Sequence, residues 1–177
     1  AGPGGQTGIR IMNSDGTGGL QLHLQAGYSD SGPVMSPDGA EIAFTQFDPA
    51  PITYHEIFLM NADGTNLHPL TTNGMPMLAD FSCWQPNPAL PRQILYTMTN
   101  MGTTGQMVLI NATGGSQVVL SASLPPGSYG AGCFSPDGTQ IVYCETQTAQ
   151  AIFQMDLDGS NIKVLKQILG IPMTWAP

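Results

Sequence analysis

The residues of this 177-residue chain that could do chemistry are few and far apart. Pro126-Gly127-Ser128-Tyr129-Gly130 has the spacing of a nucleophile elbow, in which a strained strand-to-helix turn presents a serine hydroxyl to a substrate carbonyl. No strand pattern leads into it and no helical period follows, so it reads as a connection between repeats. His23, His55 and His68 stand at no metal-ligand spacing to one another or to a cysteine. His55, between Tyr54 and Glu56, opens a strand and reads as an exposed polar position that could line a surface pocket. Asp156-x-Asp158-Gly159 matches the start of a calcium loop but lacks the later ligands and the closing glutamate. Acidic turn residues leave room for weak surface binding of Ca²⁺, with no cofactor and no specified metal site expected. Gly2-Pro3-Gly4-Gly5 is followed by no Lys-Ser/Thr pair, so it is not a phosphate loop. No catalytic residue emerges, and the chain is expected not to be an enzyme.

Two further features concern covalent chemistry. Cys83, Cys133 and Cys144 are odd in number and none lies in a CxxC pattern, which excludes a disulfide framework and a zinc knuckle. They read either as small buried apolar residues or, for Cys133 and Cys144, as a bridge between neighbouring strands of one hairpin that leaves Cys83 unpaired. Asn111-Ala112-Thr113 is an N-glycosylation sequon at a predicted hairpin tip, relevant in a glycosylating secretory route.

The elements that must carry these residues form a repeat. Asn13-Ser14-Asp15-Gly16-Thr17, Asn61-Ala62-Asp63-Gly64-Thr65, Asn111-Ala112-Thr113-Gly114-Gly115 and Asp156-Leu157-Asp158-Gly159-Ser160 each follow a short apolar run, and their glycines are 48, 50 and 45 residues apart. An apolar run ending at Asp-Gly predicts a strand entering a hairpin, because glycine takes positive φ without a clash and Asp or Asn bonds its own backbone. A second signature runs out of phase: Met35-Ser36-Pro37-Asp38-Gly39, Trp84-Gln85-Pro86-Asn87, Phe134-Ser135-Pro136-Asp137-Gly138 and the terminal Trp175-Ala176-Pro177. Proline fixes φ for the first central position of a turn, and Asp-Gly completes the reversal. Alternating strands follow at Glu41 to Phe44, Gln93 to Tyr96 and Gln140 to Tyr143. The bulky residues at one repeat position, Met35, Trp84, Phe134 and Trp175, are expected to pack between units.

Four antiparallel strands recurring every 45 to 50 residues predict an all-β chain of propeller blades. Ser-Pro-Asp-Gly, an alternating strand, Ile57-Phe58-Leu59-Met60-Asn61-Ala62-Asp63-Gly64-Thr65 and the ending Leu70-Thr71 together resemble the TolB-type propeller repeat, a relative of the WD repeat. The resemblance is closest at 34–71 and 133–165, while the third copy departs from it at Asn87-Pro88 and Thr113. It implies a periplasmic or secreted interaction platform, in rings that usually exceed four blades.

The predicted domain is a single propeller over 1–177, with blades at 28–75, 76–124 and 125–170 and one formed from both chain ends, 1–27 plus 171–177. Three blades are complete, and the strand that should precede Gly8 is missing from the count. A small ring of about four blades, a fragment of a larger propeller and a subunit completed by another chain all satisfy that count. An incomplete blade leaves strand edges open to a partner.

Four Lys plus Arg against twelve Asp plus Glu give a net charge of −8, so the basic footprint of a nucleic-acid binder is missing. No stretch approaches the roughly 18 apolar residues that would predict membrane insertion. The chain opens at Ala1 with no signal-peptide pattern, as a processed or excised form would. These features predict an extracytoplasmic module, periplasmic, cell-surface or secreted, whose partners are other proteins or copies of itself in a surface or extracellular polymer. The rival expectations are the propeller portion of a larger peptidase or sugar-active enzyme, and a glycan or small-molecule binder at a central channel.

Overall fold

The computed structural model describes residues 6–48, 55–73, 77–100, 105–120, 132–145 and 151–167. The elbow-like segment 126–130, residues 171–177 of the blade expected from both chain ends, and Gly2 to Gly5 lie outside the described residues. The chain divides into two compact units, Ala1–Phe81 and Ser82–Pro177. The first holds β1 (Ile9–Ile11), β2 (Leu20–His23), β3 (Ser29–Met35), β4 (Glu41–Phe47), β5 (His55–Asn61) and β6 (His68–Pro69). The boundary falls inside β7 (Met77–Trp84), and the second unit continues with β8 (Gln93–Asn100), β9 (Gly105–Asn111), β10 (Gln117–Val119), β11 (Cys133–Phe134), β12 (Gln140–Glu145), β13 (Ala151–Asp156) and β14 (Lys163–Gln167). These strands make one two-stranded sheet, β1-β2, and three four-stranded sheets in the orders β3-β4-β5-β6, β10-β9-β8-β7 and β11-β12-β13-β14. The all-β blade architecture expected from the repeat is therefore present, with three complete blades and one half-blade among the described residues.

Among the described residues, the copies of each turn signature that keep Asp-Gly fold the same way. In Asn61 to Thr65 the Gly64 N–H donates to the Asn61 carbonyl at 2.9 Å and the Asn61 N–H to the Thr65 carbonyl at 2.8 Å. The loop is thus a type I turn followed by one left-handed residue, the usual three-residue hairpin connection. Asp63 locks it by accepting from the Thr65 N–H and hydroxyl at 2.9 and 2.6 Å, and Asp15 does the same for Thr17 at 2.9 and 2.7 Å. In the second signature Gly39 donates to the Ser36 carbonyl and Gly138 to the Ser135 carbonyl, both at 2.8 Å. Ser36 and Ser135 each donate from the hydroxyl to the following aspartate, Asp38 or Asp137, at 2.6 Å. Where Asn87 replaces that aspartate, its Oδ1 accepts from the Ala89 N–H at 3.0 Å and its carbonyl from the Leu90 N–H at 3.1 Å, giving the longer turn.

Two strands depart from a regular blade. Residues 67–70 contribute only the two-residue β6, because Pro69 has no N–H to extend the ladder and proline is confined to sheet edges. β4, expected to alternate, is buried from Ile42 through Gln46. One of its faces packs Ile42 and Phe44 with Ile9 and Met60, and on the other Thr45 accepts from the Phe81 N–H at 2.9 Å. Burial on both faces is what stacked sheets impose.

Equivalent contacts recur in the two units, both within a sheet and between sheets. Tyr143 and Phe153, opposite one another on β12 and β13, stack with ring centroids 5.3 Å apart, and Phe44 and Phe58 occupy the matching sites on β4 and β5 at 6.0 Å. The hairpin glycines also meet the sheet before them. A Cβ on Gly64 would lie 3.1 Å from the Leu22 carbonyl oxygen, and one on Gly159 3.0 Å from that of Leu120. Gly16 shares the positive φ, +84° against +81° at Gly159, but a Cβ there would meet nothing within 4 Å. Gly16→Ala should therefore show the conformational penalty alone, about 1 kcal/mol. Gly159→Ala should lose measurably more in urea unfolding, the excess reporting the close approach of the two sheets.

The turn aspartates also set an acid limit. Hydrogen bonds from the Thr17 and Thr65 side chains hold Asp15 and Asp63 below the ordinary carboxylate value of 3.8, and the Ser135 and Ser160 side chains do so for Asp137 and Asp158. Folded values below unfolded ones mean stability that is fully present above the unfolded value and lost as pH falls through the folded values. Stability should fall below about pH 4, and Asp63→Asn should flatten that fall in acid titrations followed by circular dichroism.

Candidate functional site

The second unit shows what fills the space between two adjacent sheets. Leu95 on β8 and Met107 and Leu109 on β9 pack with Phe134 and Ile141 of the next blade, and all five are buried. Counted from the hairpin glycines and turn prolines, Ile9 and Ile11 stand in the first unit where Met107 and Leu109 stand in the second. Met35 and Ile42 correspond in the same way to Phe134 and Ile141. Leu95 has no counterpart, because among the described residues the first sheet consists of β1 and β2 alone.

The consequence is a groove. Leu109 is 3% exposed but Ile11 37%, and Phe134 is 9% exposed but Met35 42%. A cavity of about 230 Å³ opens there, lined by Ile9, Arg10, Ile11, Pro33, Met35 and Ile42. Met35, expected to pack against the next repeat as Phe134 does, is instead exposed, and no strand covers it among the described residues. Trp84 is buried, with the Arg92 guanidinium 5.0 Å from its ring centre. One edge of β1 pairs with β2, setting Ile9 against His23 and Ile11 against Leu20, and its other edge carries no strand among the described residues. In the complete sheet that edge of β9 meets β8, with Leu95 opposite Leu109 and Thr97 opposite Met107.

A buried polar network fastens this half-blade to its neighbour. The Asp30 side chain is 1% exposed and that of His23 11%, with Nδ1 of His23 2.8 Å from Oδ2 of Asp30. A carboxylate can only accept, so Nδ1 carries the proton. Gln46 donates to the other oxygen at 3.1 Å. The main chain adds Asp30 N–H to the Thr7 carbonyl at 3.0 Å and the Thr7 hydroxyl to the Asp30 carbonyl at 2.8 Å. An aspartate-oriented histidine can serve as a general base, but among the described residues no hydroxyl or thiol bonds its second ring nitrogen. The pair acts as a clamp.

The other residues singled out in the sequence stay apart. His55 lies 3.3 Å from Asp80, which is half exposed, and His68 bonds the Asn66 carbonyl at 2.7 Å. Among the described residues no three His, Cys, Asp or Glu side chains gather as a metal site, and no helix is long and apolar enough to cross a membrane. Cys83, Cys133 and Cys144 are free thiols. The register sets Cys133 across from Val142 and Cys144 across from Ile152, so the alternative of a bridge between them is not formed, and Cys133 is exposed, not buried as the other reading had it. Burial pushes the Cys83 thiol up to about 12, which leaves it unreactive near neutral pH. Asn111 is exposed at the β9–β10 hairpin.

The clamp makes its own prediction. His23→Ala leaves the buried Asp30 with Gln46 as its side-chain partner and should cost about 3 kcal/mol. Equilibrium unfolding in urea measures it, and loss of under about 1 kcal/mol would mean that water replaces the imidazole.

No family model and no curated protein sequence matches the chain. Solved structures do. Oligogalacturonate lyase in complex with manganese matches over 88% of this chain and 41% of its own, at 14% identity and a TM-score of 0.67. A chain of the nidogen/laminin complex matches over 89% of this chain and 53% of its own, at 19% identity and 0.61. A structure assigned to TolB of Agrobacterium tumefaciens matches over 89% and 69%, at 17% identity and 0.55. The chain therefore spans less than two thirds of the lyase and of the nidogen/laminin chain. At these identities the likeness is one of architecture, and it shows that the chain has the β-propeller fold, with TolB and functionally diverse propeller proteins among its structural neighbours.

Proposed function

We propose that this chain is a non-enzymatic, extracytoplasmic propeller module that binds protein by accepting an extended strand along β1. The observation that carries the reading is the comparison of equivalent layers: where Leu109 and Phe134 are buried under Leu95, Ile11 and Met35 flank an open groove. The required occupant follows from the register of the complete blade. It runs antiparallel to β1, sets an apolar side chain of leucine size opposite Ile11 and a small or β-branched residue opposite Ile9, and joins its main chain to the β1 edge that carries no strand among the described residues. Strand addition of this kind draws affinity from backbone hydrogen bonds and specificity from alternate side chains.

The partner is a polypeptide, and the chain's own repeats contain the pattern, so a second copy can supply it and assemble the chain into a polymer. The reading requires no metal or cofactor. Its location outside the cytoplasm is supported by the resemblance of the repeat to TolB-type propellers, and a protein partner by the presence of a propeller of this architecture in the nidogen/laminin complex.

A synthetic peptide with the sequence of Gln93 to Asn100 is the direct probe. Added to the full chain, it should shift amide resonances at Ile9 to Ile11, Met35 and Ile42, and Ile11→Asp should weaken binding at least about tenfold. A scrambled peptide should do neither. No shift at millimolar peptide, together with a strictly monomeric chain at high concentration, would overturn the proposal.

A further inference from the structure

The four hairpin tips differ in one respect that bears on covalent modification. At the first two, the asparagine that opens the turn is tied down: Nδ2 of Asn13 donates to the Thr17 hydroxyl at 3.0 Å, and Nδ2 of Asn61 to the Thr65 hydroxyl at 2.8 Å. The fourth tip opens on Asp156, which accepts from Nδ2 of Asn161 at 2.7 Å and Nε2 of Gln140 at 3.1 Å. At the third, Gly115 stands where the threonine would be, and Asn111 Nδ2 makes no hydrogen bond among the described residues.

The same tip has exchanged its turn aspartate for Thr113. Asp15, Asp63 and Asp158 accept from the residue two positions on at 2.9 Å, whereas the Thr113 hydroxyl has no partner among the described residues. Asn111 and Thr113 are both exposed. The turn is held by its main chain alone, with the Gly114 N–H on the Asn111 carbonyl at 2.8 Å and the Ala112 N–H on the Arg92 carbonyl at 2.9 Å. Around it there is space: a Cβ on Gly114 or Gly115 would meet nothing within 4 Å.

Two departures from the repeat therefore act together. One frees the asparagine amide, and the other places a threonine at the position that makes Asn111-Ala112-Thr113 the chain's one Asn-x-Ser/Thr sequon. We infer that Asn111 is a site of N-linked glycosylation, the sugar standing on an outward-facing hairpin tip at no expense to the turn. The donor class is an oligosaccharide carried on a polyprenyl diphosphate. The amide nitrogen forms a bond to the anomeric carbon, the bond from that carbon to the diphosphate oxygen breaks, the lipid diphosphate leaves with the electron pair, and the amide gives up one proton.

The test is intact-mass and peptide mass spectrometry of the full chain, secreted from a host that glycosylates a control sequon in the same route. A glycan mass is expected on the peptide containing Asn111, absent in Asn111→Gln and Thr113→Ala and kept in Thr113→Ser. Because the amide holds nothing, Asn111→Gln produced without glycosylation should unfold at the same urea concentration as the unmodified chain, whereas Asn61→Gln should unfold earlier. A bare Asn111 peptide recovered quantitatively beside a glycosylated control would overturn the inference. So would a glycan that persists in Thr113→Ala.

Discussion

The constraint on which this structure depends is that a four-stranded sheet cannot bury either face by itself. Each blade becomes a stable element only when the sheet beside it covers it, and the apolar layer between sheets is where the hydrophobic stabilisation resides. In the second unit this layer is filled, and its large side chains, among them Ile141, Tyr143 and Met107, are essentially inaccessible. In the first unit the same layer is built from Ile9, Ile42, Phe44 and Met60, but it ends in an open groove. Repetition turns a deficiency that would be invisible in a single sheet into a measurable difference between equivalent residues.

That layer also explains why the polar residues near it are paired. Asp30 is buried because β3 faces the half-blade, and a buried carboxylate is tolerated only with partners for its lone pairs. His23 and Gln46 supply them from two different strands. The arrangement shares its aspartate–histidine pairing with a catalytic triad, and its position between two sheets lets it hold them together. At the hairpin tips the opposite conditions apply. Solvent is freely available, the turn aspartates stay charged, and their bonds to Ser and Thr shape the backbone. Once Asp is replaced by Thr113, the main chain alone suffices to hold the turn, and the side chains become free for other uses.

How much was legible in the sequence depends on whether the signal was local. Asp-Gly, Ser-Pro-Asp-Gly and the apolar runs before them are governed by φ preferences and by bonds spanning two to five residues, so strands and turns fell where the repeat put them. The brevity of β6 was written in Pro69. The sequon at Asn111 was visible as a pattern, but that its amide is unengaged required comparison with the bonded Asn13 and Asn61. The open edge was legible as a strand missing before Gly8, but the lining of the groove, the clamp and the exposure of Met35 could not be read, because each joins residues on different strands. His23 and Asp30 carry no spacing signal that distinguishes them from any other histidine and aspartate seven residues apart.

The sequence by itself determined the repeat, the antiparallel hairpins and the blade architecture, because those follow from backbone chemistry and periodicity along the chain. Only the tertiary structure decided which faces are covered. Burial depends on what another segment places across a gap of about 10 Å between sheets, and no residue encodes that about its neighbour. Met35 and Phe134 occupy the same repeat position; Phe134 is buried with the sheet that carries Leu95, whereas Met35 lines an open groove with no such strand over it among the described residues.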